Sequence, residues 1–333
     1  MRAGRRGIGY AVPMPEKPCT VVRCPPHWRP AALRKLHDSL PAELQAGLAQ
    51  ALHVTGATNA AAWDGLLIAA SDPAAPVEVE ISPDSITGVA WVQRLPGETA
   101  CLWIPPNQGA IGSAIMRAAT AFIDERQIPL TQLVVSPDDG YSDAECSAAG
   151  FPKFATLRYL YVDLADDSRR VDSRGQSRTP SPLAFAAHAE REPDRLERVV
   201  EQTYVGTLDC PGLDGVRPLA EVLEGYRAQG THRPEHWYLA QTEGQDVGAL
   251  ILAEHPGLGN WELVYMGVTA DARGLGYGAR IVECAIDVAA RHHAERLVLA
   301  VDAANEPALR VYGRLGFITW AERIVYARLR ARA

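Results

Sequence analysis

The chain repeats one pattern of strands, turns and glycines, and this internal duplication constrains its fold more than any other feature. An apolar strand, a Pro-Gly turn, a second strand, a glycine loop and a Gly-Phe pair occur twice in the same order. The landmark pairs are Gly88 and Gly248, Gly112 and Gly276, and Gly150 and Gly316, which lie 160, 164 and 166 residues apart. Insertions in loops account for the small differences between these spacings, so we expect two tandem units of one fold.

Each copy is predicted to begin with helices and to continue with short strands. Leu196, Val199, Val200 and Tyr204 have helical spacing and give one apolar stripe. Helices are predicted at 30–51, 194–204 and 218–229, and strands at 87–92, 98–104, 130–135, 247–252, 261–268 and 296–301. A single helix between short strands favours an α/β fold with a mixed sheet.

Length and composition divide the chain into predicted domains. With 333 residues, it is long enough for two domains of ordinary size. Residues 165–181 are polar, nearly free of large apolar side chains and end in Thr-Pro-Ser, as expected of a linker. We therefore predict a flexible extension at 1–18, a first unit at 19–164, a linker at 165–181 and a second unit at 182–333.

Charge and cysteine usage exclude several functional classes. A net charge of −7 argues against a nucleic-acid-binding protein. No apolar stretch approaches the roughly 20 residues of a membrane span, and glycines and prolines interrupt the first 15 residues, which lack the apolar centre of a secretory signal. The six cysteines form no C-x-x-C pair, so we expect a cytoplasmic monomer or homodimer without a metal.

A glycine-rich loop gives the strongest chemical signal. Gly274, Gly276 and Gly278 follow a predicted strand that ends at Val268, and they lead directly into a predicted helix. Backbone N–H groups in such a loop can converge on a phosphate at the positive end of the helix dipole; a tight turn is the structural alternative. A dinucleotide-binding fold, with Asp302 after the next strand, is a weak candidate, because about thirty residues remain beyond it.

Two segments together resemble the GNAT superfamily of acyl-CoA-dependent N-acyltransferases. The first is Arg273-x-x-Gly276-x-Gly278; the second runs from Asn305 through Tyr312 to Gly316-Phe317. The resemblance covers residues 237–329, and the two-unit arrangement is similar to that of mycothiol synthases. It implies, for each unit, a mostly antiparallel central sheet flanked by helices.

The resemblance also implies acetyl-CoA as a co-substrate. The strand before the loop would splay from its neighbour, receive the pantetheine arm and direct the Val268 N–H to the thioester oxygen. Asn305 would line the other side of the arm. The implied acetyl-CoA-binding residues are Met266, Gly267, Val268, Arg273, Gly274, Leu275, Gly276, Tyr277, Gly278, Asn305, Ala308 and Tyr312.

Acid, base and acceptor residues follow from the same comparison. Tyr312 occupies the position of the acid that protonates the thiolate, although it could simply pack beside Phe317. Glu262, six residues before Val268, is the candidate base or a solvated strand residue. Asp209 and Asp214, in the Gly- and Pro-rich segment 205–217, could receive a cationic amine or only face solvent. His232, His236 and His255 occur in predicted turns, where exposed histidine is common.

The first unit is expected to have lost the chemistry. Gly109 replaces Arg273, and counting back from Gly150 places Asp139 at the position of Asn305 and Cys146 at that of Tyr312. Only Glu98 matches Glu262 in spacing.

These observations predict an N-acetyltransferase that moves acetyl from acetyl-CoA to a primary amine of a small molecule, active in the second unit. A non-catalytic acyl-CoA-binding or regulatory module, and a peptide or protein N-acetyltransferase, are the alternatives.

Overall fold

The computed structural model describes residues 20–55, 60–70, 85–164, 183–187 and 189–330. The predicted extension at 1–18 and the predicted linker at 165–181 lie outside the described residues. Within the described part of the chain, no helix combines the length and apolar character needed to cross a membrane.

The first half alternates helices and strands as the duplication predicts. Its elements are β1 (Thr20–Arg23), α1 (Arg29–Ser39), α2 (Ala42–Thr55), β2 (Leu66–Ala70), β3 (Ile86–Leu95), β4 (Thr99–Trp103), α3 (Gly109–Glu125), β5 (Leu130–Val135), α4 (Asp143–Ala148) and β6 (Lys153–Asp163). The predicted helix 30–51 is divided into α1 and α2, because Pro41 excludes a continuous helix at Leu40.

The second half repeats this order with longer strands. Its elements are β7 (Ala184–Ala187), α5 (Pro193–Tyr204), α6 (Leu219–Arg227), β8 (Trp237–Thr242), β9 (Gln245–His255), β10 (Asn260–Val268), α7 (Tyr277–Arg291), β11 (Arg296–Asp302), α8 (Glu306–Arg314) and β12 (Ile318–Leu329).

The strands of the two halves form one continuous sheet in which the last strands are exchanged. The order is β1-β2-β3-β4-β5-β12-β6-β11-β10-β9-β8-β7. The final strand of the chain, β12, therefore pairs with β5 of the first half, whereas β6 of the first half pairs with β11 of the second. The two exchanged strands also pair antiparallel with each other and join the halves at the centre of the sheet.

Each half packs helices on both faces of its strands. In the second half, α7 and α8 cover one face through a core that includes Leu250, Ile281 and Leu297. The opposite face carries α5 and α6 over Trp237 and Ile251. The first half uses α3 and α4 on one face and α1 and α2 on the other.

The central strands present a face that lies between the α1–α2 layer and the α5–α6 layer. Paired residues share a face of a sheet, and the registers connect Glu262 to Val298 and Tyr161, and Ala300 to Tyr159. Trp320 lies in a bulge opposite Tyr159 and contacts its ring edge-on at 5.9 Å. We call this surface the open face; it comprises Glu262, Val298, Ala300, Tyr159, Tyr161 and Trp320.

Candidate functional site

The site is built around a gap between β10 and β11. The two strands pair in parallel only from Asn260 to Glu262, opposite Arg296 to Val298. Beyond Glu262, β10 stays paired with β9 across a bulge between Leu263 and Tyr265, whereas β11 stays paired with β6. The splay places Glu262 at the closed end of the gap and Val268 at its open end.

The backbone of β10 presents hydrogen-bonding groups to this gap. The N–H of Thr269 donates to the carbonyl of Val247 on the β9 side, at 3.0 Å. Because successive N–H groups of a strand alternate in direction, the Val268 N–H faces the gap. An N–H group that faces the gap in this way can donate a hydrogen bond to a thioester carbonyl oxygen.

Gly267 lets α5 approach the strand closely. A Cβ at this position would lie 2.6 Å from the Cβ of Thr203 and 2.8 Å from the Tyr265 hydroxyl. On the other face of β10, Met266 and Val268 pack partly against the core under α7. The strand wall of the gap is thus held between two helix layers.

The glycine loop is open towards solvent and rich in unpaired donors. Gly274 and Gly276 have φ values of +78° and +83°, and a Cβ at either position would meet no atom within 4 Å. Gly276 caps α7 without a side-chain bond. Among the described residues, no acceptor is found for the backbone N–H groups from 274 to 278. Leu275 is 65% exposed, and Tyr277 packs partly on the core. Unpaired N–H groups at a helix N-terminus can bind an anion.

The Arg273 side chain is directed away from this loop. Its guanidinium donates to the carbonyls of Thr203 at 2.7 Å, Gly206 at 3.0 Å and Val268 at 3.2 Å. The residue therefore ties the end of α5 to the start of the loop.

The second predicted segment forms the start of α8. Asn305 is its N-cap, and its side-chain oxygen accepts from the Ala308 N–H at 3.3 Å. Tyr312 is 5% exposed and packs against Phe317 with ring centroids 5.5 Å apart. Its hydroxyl forms no hydrogen bond with the described residues. Burial raises the pKa of the Tyr312 phenol, and the nearby Asp209 carboxylate raises it further.

Asp209 and Asp302 fasten the acceptor segment 205–217 to the end of β11. The Asp302 N–H donates to Asp209 Oδ1 at 2.8 Å, and the Cys210 N–H donates to Asp302 Oδ2 at 3.3 Å. Burial raises the pKa of the Asp209 carboxyl, although the bond from Asp302 opposes the shift. Asp214 is exposed. The structure brings Asp209, but not Asp214, into direct contact with the end of β11.

Glu262 lies on the open face with a partner that the sequence did not indicate. Its Oε2 is 2.8 Å from His255 Nε2, and both side chains are about one quarter exposed, at 27% and 26%. The expectation of exposed histidines was wrong for His236, which is 3% exposed against Trp261. His232 contacts Glu190 at 2.9 Å.

An aromatic cluster beside β10 was also not predicted from the sequence. Tyr226 stacks on Tyr265 at 5.4 Å, and the hydroxyls of Tyr204 and Tyr226 are 2.9 Å apart.

Arg217 connects this region to the first half of the chain. Its guanidinium, whose pKa is lowered by burial, donates to the carbonyl of Gly97 at 2.5 Å. No spacing rule connects the β3–β4 turn to a loop residue more than a hundred positions later, so only the fold shows this contact.

The first half lacks the loop and the acid at the equivalent positions. Its connection from β4 to α3 is residues 104–108, shorter than residues 269–276 between β10 and α7. Phe151 N–H donates to the Cys146 carbonyl as Phe317 N–H donates to that of Tyr312, so Cys146 is the equivalent of Tyr312.

The proposed match of Glu98 to Glu262 was wrong. Glu98 lies in the β3–β4 turn with a φ of +54°. The registers instead place Cys101 opposite Gln132, as Glu262 is placed opposite Val298. The error arose because β4 (Thr99–Trp103) is shorter than β10 (Asn260–Val268), so an equal spacing to the end of the strand does not give the equivalent residue. The N-cap of α4 is Ser142, not Asp139, whose carboxylate accepts from the Ser136 N–H at 2.7 Å.

Comparison with known proteins agrees with this geometry. Residues 205–317 match the acetyltransferase (GNAT) family. A mycothiol acetyltransferase of Paenarthrobacter aurescens (strain TC1) is 33% identical over 112 residues, which is 32% of this chain and 35% of that protein. The matched segment thus spans about a third of the length of that curated relative.

Solved structures extend the likeness of the fold to nearly the whole chain. A GCN5-related N-acetyltransferase from Sphaerobacter thermophilus matches 93% of this chain and 95% of its own, with a TM-score of 0.61 and 14% identity. A tandem GNAT protein from the clavulanic acid biosynthesis pathway matches 95% of this chain and 100% of its own, with a TM-score of 0.50 and 15% identity. Residues 205–317 thus match the GNAT family, and nearly the whole chain has the fold of a tandem GNAT protein, with two units of that fold in succession.

Proposed function

We propose that the chain is an acetyl-CoA-dependent N-acetyltransferase that acts through its second half on a primary amine of a small molecule. One observation carries the proposal: the β10–β11 gap joins an open glycine loop at one end to Glu262 at the other. A linear co-substrate with a phosphate end and a reactive end would fit such a path. The comparisons support the acetyltransferase class.

The residues around the gap fit the chemistry of acetyl-CoA. The unpaired N–H groups from Gly274 to Gly278 would hold the pyrophosphate, supported from behind by Arg273. Met266, Gly267 and Val268 would form the strand wall for the pantetheine arm. Asn305 and Ala308 would border its other side at the start of α8.

Acid and base roles follow from position and environment. Glu262 would accept a proton from the ammonium group of the acceptor, so that the neutral amine can attack the thioester carbonyl carbon. The Val268 N–H would stabilise the carbonyl oxygen as the C–N bond forms. As the C–S bond breaks, Tyr312 would donate its proton to the sulfur and regain one from solvent. The buried phenol is protonated at neutral pH, as a proton donor must be.

The acceptor would bind on the open face, between the two helix layers. Asp209 has a second carboxylate oxygen beyond the one bonded to Asp302, and it could receive a cationic group. Trp320, which is 57% exposed, and Tyr159 would offer an aromatic surface to the body of the acceptor.

The experiment is a transfer assay with acetyl-CoA and a panel of amines, read by mass spectrometry of the products. The panel contains the des-acetyl form of mycothiol, because relatives carry the name mycothiol acetyltransferase, and also D-glucosamine, spermidine and a tripeptide with a free N-terminus. Transfer to a small amine is expected. Acetyl-CoA binding without transfer to any member would contradict the proposal and favour a binding module; transfer to the tripeptide alone would favour a peptide acetyltransferase.

A further inference from the structure

His255 and Glu262 form a pair whose geometry is fixed by the β9–β10 hairpin. His255 pairs with Asn260 and Glu262 pairs with Ala253 across the two antiparallel strands, so the side chains are diagonal neighbours on one face. The imidazole Nε2 lies 2.8 Å from Glu262 Oε2. Within the described structure, His255 Nδ1 and Glu262 Oε1 form no hydrogen bond.

The backbone beside His255 restricts its ring to this position. Gly230 has a φ of +53°, and a Cβ there would lie 3.0 Å from His255 Nε2. The next residue, Thr231, donates its N–H to the Glu254 carbonyl at 2.7 Å and so holds this loop against β9. The ring is therefore placed before any acceptor arrives.

Few other charged groups lie near the His255–Glu262 pair. On the neighbouring strands of the open face, the titratable and charged groups are Tyr159, Tyr161 and Asp163 of β6, Arg296 of β11, which lies 3.9 Å from Asp163, and Arg323 of β12. Arg296 lies over the Tyr161 ring and Arg323 over the Tyr159 ring, and Arg323 is also paired with Glu43 at 2.8 Å. Burial raises the pKa of Tyr159, and the Glu262 carboxylate contributes to that rise. The Tyr159 phenol is thus a neutral partner at neutral pH.

We propose that His255 is the positioning residue of Glu262: its Nε2–H donates to Oε2, fixes the orientation of the carboxylate and leaves Oε1 free to receive the ammonium proton of the acceptor. The inference rests on the proposed function, in which Glu262 is the base.

Two substitutions of His255 separate its hydrogen bond from its packing. His255→Gln keeps an N–H donor for Oε2, so kcat should stay close to that of the native protein. His255→Phe keeps a ring and removes the donor, so kcat falls about tenfold while the KM for acetyl-CoA stays unchanged. Both are measured with acetyl-CoA and the panel amine that is acetylated fastest. An equal loss of kcat in the two variants, or no loss in either, would overturn the proposal.

A double-mutant cycle separates this proposal from the proposed function. If His255 acts through Glu262, adding His255→Phe to Glu262→Gln causes no further loss of kcat. A further tenfold loss would overturn the positioning role while the base assignment stands. A Glu262→Gln enzyme with full kcat would instead overturn the base, and the positioning role with it.

A measurement on the free protein needs no acceptor. With ¹⁵N-labelled histidine at pH 8, long-range ¹⁵N–¹H correlations should show the Nε2–H tautomer of His255 almost alone, and Glu262→Ala should lower its share towards the mixture of a free imidazole. The Nδ1–H tautomer in the native protein, or an unchanged spectrum in Glu262→Ala, would contradict the assignment. Unchanged CoA affinity and thermal unfolding verify that each variant is folded.

Discussion

Gly276 lies where backbone conformation and charge act together on the proposed phosphate site. Its φ of +83° is unfavourable for any other residue, although a Cβ would meet no neighbouring atom. Gly276→Asp adds strain and a negative charge beside the free N–H groups, so we expect acetyl-CoA binding to be lost in calorimetric titration.

Gly244 gives a matched control for that substitution. It has a φ of +78°, equally open space, and a place in the β8–β9 turn, outside the β10–β11 gap. Gly244→Asp should cost similar stability and leave acetyl-CoA affinity unchanged. If Gly276→Asp binds as tightly as this control, the loop does not hold the pyrophosphate.

Tyr312 allows the chemistry of a hydroxyl to be separated from the packing of its ring. Tyr312→Phe keeps the contact with Phe317 and removes an oxygen that bonds to none of the described residues, so stability and acetyl-CoA affinity should change little. General acid catalysis contributes about 10²–10⁴-fold, and kcat should fall within that range if chemistry limits turnover. Full kcat would assign the acid role to water or to another residue.

Glu262→Gln tests the base through its dependence on pH. The loss of rate should be greatest at acidic and neutral pH, where the acceptor is an ammonium ion and needs the carboxylate to remove its proton. At high pH the free amine is present without help, and the difference from the native enzyme should shrink. Parallel profiles at every pH would make Glu262 a structural residue of β10.

At the scale of elements, Arg273 connects α5 to the glycine loop. Three carbonyl oxygens accept from its guanidinium, and their loss in Arg273→Ala should destabilise the protein by about 2 kcal/mol. Because the loop is then less ordered, we expect acetyl-CoA to bind about tenfold more weakly.

Arg280 is the control, since it lies one turn into α7 and pairs at 2.8 Å with Glu283. Arg280→Ala should change both quantities little. Equal affinity for acetyl-CoA in Arg273→Ala and Arg280→Ala would show that the tie to α5 does not order the loop.

Local patterns were sufficient for the elements but not for their partners. The glycine spacings predicted the duplication, and the order strand, glycine loop, helix around Gly276 was confirmed. The exchange of β6 and β12 could not be predicted, because the sequence of an apolar strand does not specify which strand it pairs with. His255 and Glu262 are seven residues apart, and only the length of the hairpin brings them together.

At the scale of the whole molecule, the two copies of the fold are expected to differ in ligand binding. The first half has a shorter connection before α3 and a buried Cys146, whose pKa burial raises to about 11, where the second half has Tyr312. Calorimetric titration should therefore give one acetyl-CoA per chain. Two equivalents at saturation, the second surviving Gly276→Asp, would show that the first half also binds.

The strand exchange should make the two halves inseparable even without a covalent connection. β12 lies between β5 and β6, with Val325 and Tyr326 buried at 3% and 1%, and the Tyr326 hydroxyl donates to Asp143 of the first half at 2.5 Å. A protease site placed within residues 165–181 would cut the chain but leave this pairing intact. The cut protein should co-elute as one species, unfold in a single thermal transition and bind acetyl-CoA as the uncut chain does, because each core keeps a strand from the other half. Separation into two folded halves without denaturant would contradict the exchange.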